Sequence, residues 1–82
     1  MADLKWTRQA DQYYVAYIAK ESLCGWRIVR DKNTVWWHLY KKDWPTWKFV
    51  GTMSSLKNAQ RRAVDLEDEW WENLVGNVVG NG

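Results

Sequence analysis

The spacing of apolar residues changes character once along this chain, between Met53 and Leu56. Before that point strand formers dominate, and in Thr34–Lys42 they alternate in twos. After it Leu56, Ala59, Ala63, Leu66, Trp70 and Leu74 follow one another at intervals of three and four. A period of two sends side chains to opposite faces of a strand, whereas a period near 3.6 lays one apolar stripe along a helix. A run of strands followed by one helix of about five turns is therefore expected.

The strands are expected at Leu4–Arg8 (or an extended arm there), Tyr13–Ile18, Trp26–Arg30, Thr34–Lys42 and Thr46–Met53. Turns fall at Lys20–Gly25, Asp31–Asn33 and Lys41–Pro45, punctuated by Gly25 and by Pro45, which cannot sit inside a central strand. Ser54 or Ser55 is the helix N-cap. Gly76 and Asn77 are stop signals, so residues 1–75 form one domain and 76–82 a flexible Gly/Asn tail. The expected fold is α+β: an antiparallel sheet of three to five strands with one long C-terminal helix packed on one face. One helix covers one face, and the other is solvated or binds something.

Eight of the 82 residues are tryptophan: Trp6, Trp26, Trp36, Trp37, Trp44, Trp47, Trp70 and Trp71. A domain this small buries only roughly 60% of its unfolded surface. Some indoles must therefore remain outside, where large aromatic groups mark recognition surfaces.

Alternation in Thr34–Lys42 gives one set of Val35, Trp37 and Leu39, expected to face the helix. The other set is Trp36, His38, Tyr40 and Lys42, joined on the open face by Arg27 and Lys48 from the flanking strands. Rings interleaved with cations suit nucleic acid, the cations on phosphates and the rings near bases or sugars. The structural alternative is an aromatic ladder that only stabilises cross-strand pairs. A register error of one residue exchanges the two sets. In Lys41–Trp47 two lysines stand beside Trp44 and Trp47, a loop that anchors a partner or folds back as a lid.

Charge is unevenly laid out. All 12 Lys and Arg precede Asp65, while five of the 10 acids lie from Asp65 onward. On the helix Lys57, Arg61 and Arg62 come first and Asp65, Glu67, Asp68, Glu69 and Glu72 last, the reverse of what the macrodipole favours. Arg61 and Arg62 are candidates for phosphate; the acidic end is a candidate for a basic protein, or simply a solvated face. Trp71 lies off the apolar stripe, where it packs under the N-terminal strands or seals a homodimer.

No catalytic constellation emerges, and no enzyme is expected. His38 is the one histidine, Cys24 the one cysteine, and neither zinc spacing nor a glycine-rich phosphate loop is present. No metal or cofactor is expected. No apolar run reaches the roughly 20 residues of a membrane span. Met1–Lys5 lacks the apolar stretch of a secretory signal, and a single cysteine allows no internal disulfide, so a cytosolic protein is expected.

Phe49-Val50-Gly51-Thr52-Met53-Ser54-Ser55-Leu56-Lys57-Asn58-Ala59-Gln60-Arg61-Arg62-Ala63 resembles the strand-to-helix junction of plant ethylene-response-factor DNA-binding domains. Trp26-Arg27-Ile28-Val29-Arg30 is similar to a strand of the same domains. The arm-binding domains of phage and transposon integrases are similar in architecture. The resemblance, over about residues 26–66, implies a three-stranded sheet backed by a helix and laid in the DNA major groove. The whole chain also resembles small proteins encoded by actinobacterial phages, mycobacteriophages especially. Trp6-Thr7, Tyr13 or Tyr14, Trp26 to Arg30, Trp37 to Tyr40 and the helix from Leu56 carry that likeness. It implies a phage origin and action in the bacterial host cytoplasm, where some members act on host proteins.

Two partners therefore compete. A host protein would be bound through Trp36, His38, Tyr40, Trp44 and Trp47. Double-stranded DNA would be held by Arg27, Lys41, Lys42, Lys48, Arg61 and Arg62. A structural homodimer is a third reading. The net charge of +2 is low for a dedicated DNA binder and tips the expectation towards protein.

Overall fold

The computed structural model describes residues 4–19, 24–43 and 45–80, with side chains described as far as residue 73. Five strands precede one helix: β1 (Thr7–Ala10), β2 (Tyr14–Ala19), β3 (Trp26–Asp31), β4 (Trp37–Asp43), β5 (Thr46–Met53) and α1 (Leu56–Gly80). Each strand pairs antiparallel with the next, in the order β1-β2-β3-β4-β5. The fold is α+β, an antiparallel sheet with one helix against it.

Helix α1 packs on β3, β4 and β5. Its buried stripe is Ala59 and Ala63, whose small side chains let the helix sit close over Ile28 and Leu39, both 0% exposed. Trp26 and Ala19 complete this core, and Trp37, Val50, Met53, Leu56 and Leu66 pack around it. Ser55 caps the helix, its Oγ accepting the Asn58 amide at 3.1 Å. Among the described side chains the last buried position on α1 is Glu67, and Glu69 through Asn73 are exposed. Its backbone stays helical through Gly76–Gly80, past the residues read as stops.

Two expectations about β4 and β5 need correction. Strand β4 begins at Trp37, not Thr34, because the β3–β4 turn captures Thr34. The Thr34 amide and hydroxyl both donate to the Asp31 carbonyl (3.0 and 3.2 Å), and Arg30 Nη1 donates to the Thr34 carbonyl at 2.8 Å. Val35 is left 69% exposed rather than in the core. Strand β5 contains a bulge: Leu39 pairs with Gly51 but Tyr40 pairs with Phe49, so Val50 is an extra residue. Below the bulge the phase of β5 is reversed, and Lys48 pairs with Lys41 on the helix side instead of joining the open face.

Candidate functional site

The open face can be built from the pairing register, since directly paired residues point the same way. One row across the sheet runs Gln9, Ala16, Val29, His38 and Thr52. The next runs Thr7, Ile18, Arg27, Tyr40 and Phe49. Beyond them Lys42 pairs with Trp47, and at the opposite end Tyr14 pairs with Asp31.

Phe49 is the hub of this face, although it is 54% exposed. Its ring lies 5.7 Å from Tyr40 at 64° and 6.2 Å from His38 at 50°. Both are tilted arrangements that bring a positive ring edge towards a neighbour's negative face. His38 Nδ1 and Thr52 Oγ1 share a 2.9 Å hydrogen bond that fixes the imidazole plane. Lys42 Nζ lies 4.8 Å from the Trp47 ring centroid, a cation–π contact at the edge of the cluster. Rings held in place by such neighbours lose little conformational freedom when a partner covers them.

The second half of the face is concave. Ala16 and Val29 form its floor, with Gln9, Asp11, Tyr14 and Arg27 around it, enclosing about 300 Å³. Arg27 Nε is buried and has no hydrogen-bond partner. Asp11 is held in place by the β1–β2 turn, its Oδ1 accepting the amides of Tyr13 and Tyr14 at 2.8 Å each. Those amides, Tyr14 first and then Tyr13, hold its carboxyl below the usual carboxylate range, with Lys32 assisting.

Of the expected partner-binding residues, the fold brings His38, Tyr40 and Trp47 together. Trp36 is 51% exposed but precedes β4, outside the ladder that orders the others. Trp44 lies outside the described residues. The six expected cations do not share one surface. Arg27 and Lys42 are on the open face, Lys41 and Lys48 pair on the helix side, and Arg61 and Arg62 are exposed on α1. Trp71 is 51% and Trp70 39% exposed, so neither is sealed within the domain. Phe49 was missed, although its place two residues before a strand glycine was a signal, because interior glycine often marks a bulge.

A second cluster lies where α1 meets the segment before β3. Glu67, only 3% exposed, accepts the Cys24 amide at 2.8 Å through Oε1, while Oε2 is buried without a partner. Burial, then a hydrogen bond to Glu67 and the charge of that carboxylate, pushes the Cys24 thiol from 9.0 up to about 11, with Lys41 opposing. A thiol raised this far is a poor nucleophile and metal ligand at neutral pH. Among the described residues no group of three or more His, Cys, Asp or Glu is placed to hold a metal. Among them, too, no helix is long and apolar enough to cross a membrane.

No family model matches the chain, and comparisons with curated proteins and with solved structures return no match.

Proposed function

We propose that this chain is a non-enzymatic binding module of phage origin that engages a host protein in the bacterial cytoplasm through its open sheet face. The observation that carries the reading is the cluster of Tyr40, Phe49 and His38, edged by Trp47, on the face opposite the helix. Fixed aromatic side chains are the usual anchors of protein interfaces, and charge is sparse at the centre of such interfaces. The resemblance to actinobacterial phage proteins supports the host setting.

Double-stranded DNA is the second reading, favoured by Arg27 and Lys42 beside the rings and by the likeness of residues 26–66 to sheet-face DNA binders. Dispersal of Lys41, Lys48, Arg61 and Arg62 over other surfaces weighs against it, because duplex affinity rests mainly on phosphate neutralisation.

The test pairs a pull-down from host lysate with a titration against mixed-sequence duplex at low and physiological salt. Wild type is compared with Tyr40→Ala and Phe49→Ala. A host protein retained by wild type and lost by both variants, with no duplex binding, is the expected result. Micromolar, salt-sensitive duplex binding that both substitutions abolish would replace the protein reading with the DNA one.

A further inference from the structure

The concave half of the open face has features of an anion site, and the ring cluster does not use them. Arg27 pairs with Ile18 on one side and Tyr40 on the other, so its side chain rises from the middle of the sheet. Its Nε is buried without an acceptor, although a buried donor left unpaired is costly. The floor beside it is Ala16, 8% exposed, and Val29, both too short to fill the space between Tyr14 and the Arg27 row. The two terminal Nη–H groups of a guanidinium lie in one plane and match the two oxygens of a carboxylate.

We infer that the depression lined by Arg27, Gln9, Tyr14, Ala16 and Val29 receives one Asp or Glu side chain of the partner protein. The inference rests on the protein-binding reading above. The guanidinium takes the carboxylate end-on through its terminal Nη–H groups, since Nε itself is closed to solvent, and the ligand's methylene groups lie on Ala16 and Val29. The other rim explains why a single carboxylate suits the site better than a phosphodiester chain. Asp11 lines the depression and Asp31 pairs with Tyr14 at its end. Asp11 stays ionised because the Tyr14 and Tyr13 amides stabilise its charge. One negative charge at Arg27 is accommodated, whereas a run of phosphates would meet both aspartates. The same rim favours a lysine or a backbone amide next to the partner's acidic residue.

The Arg27 Nε–H resonance in a ¹⁵N-labelled sample reports on this directly. The probes are N-acetyl-glutamate N-methylamide, sodium phosphate and a mixed-sequence duplex, each against matched sodium chloride. The expected result is a saturable shift of the Arg27 Nε–H and of the Ala16 and Val29 amides with the glutamate derivative alone. Arg27→Lys keeps the charge but loses the planar fork, and should weaken that binding by about tenfold or more. No saturable shift in wild type overturns the inference, whether or not the variant folds. So does an equal or larger response to phosphate or duplex. If the carboxylate fails here while the pull-down still depends on Tyr40 and Phe49, only the carboxylate site is lost. If the duplex binds and no host protein does, the protein reading falls as well.

Discussion

The Glu67 carboxylate, about halfway along α1, accepts the backbone amide of Cys24 at 2.8 Å, joining residues 43 positions apart. It clasps the segment leading into β3 against α1. Hydrogen bonds to charged groups contribute more than neutral ones, and an amide stranded by loss of its acceptor is costly to bury. Glu67→Ala should therefore destabilise the domain by about 2 kcal/mol or more. Glu67→Gln keeps an acceptor for the Cys24 amide and removes a buried charge, so its loss should be smaller. Urea denaturation measures both. Equal effects of Glu67→Ala and of Glu69→Ala, at an exposed helix position, would show that the clasp contributes nothing.

Burial of the Cys24 thiol at the same place, with Glu67 beside it, makes stability depend on alkaline pH. The folded thiol of Cys24 ionises near 11 and its ordinary value is 9.0. Below pH 9 both states hold the proton and the contribution is fully present. Between the two values the unfolded chain releases its proton first, so that contribution is lost as pH rises through this window. The urea midpoint should fall from pH 8 to pH 10.5 by more in wild type than in Cys24→Ala. At pH 8 the thiol should react with an alkylating reagent about a hundredfold more slowly than an unperturbed cysteine, from its lower thiolate fraction. Glu67→Gln should speed that reaction.

Gly25 has φ +77, and a Cβ there would lie 3.0 Å from Cβ of Lys42. Gly25→Ala must adopt a left-handed backbone and push against the neighbouring strand, where Lys42 N donates to the Gly25 carbonyl at 2.9 Å. A loss of at least about 1 kcal/mol is expected. Gly51→Ala is the control, because a Cβ there meets only Cε of Met53, at 3.6 Å. Thermal unfolding of the two variants should separate them clearly. Equal melting temperatures would contradict the close approach at Gly25.

The two faces of the sheet should respond very unequally to truncation. Leu39 is 0% exposed under the helix, and Leu39→Ala should cost about 2–5 kcal/mol. Phe49 is 54% exposed, and Phe49→Ala should cost below about 1 kcal/mol, since it loses ring contacts but leaves no cavity. Comparable losses would mean that Phe49 belongs to a structural ladder and not to a surface kept for a partner.

The elements were legible in the sequence where local chemistry and hydrophobic period agree. The stripe through Leu56, Ala59, Ala63 and Leu66 and the cap at Ser55 announce the helix, and Trp26-Arg27-Ile28-Val29-Arg30 announces a strand. Three features were not legible. Thr34 looks like a strand residue, and only its bonds to Asp31 and Arg30 show that the turn claims it. Val50 looks like any β-branched strand residue, and although Gly51 beside it hints at a bulge, only the pairing shows that Val50 is the extra residue that carries Phe49 to the open face and Lys48 away from it. Glu67 sits in an acidic run and reads as solvated, but tertiary packing buries it against Cys24. Each miss was decided by contacts distant in sequence or by a one-residue change of phase, which periodicity does not register.

The meander also bears on how the molecule assembles. Every strand pairs with its immediate predecessor, so the sheet can zip up one hairpin at a time as the chain emerges from the ribosome. Short loop closures of this kind carry little entropic cost and favour fast folding. The bond between Glu67 and Cys24 is different, because it spans half the chain and forms only once the helix has docked. It is a late latch on an otherwise local folding route, so weakening it should accelerate unfolding far more than it slows folding.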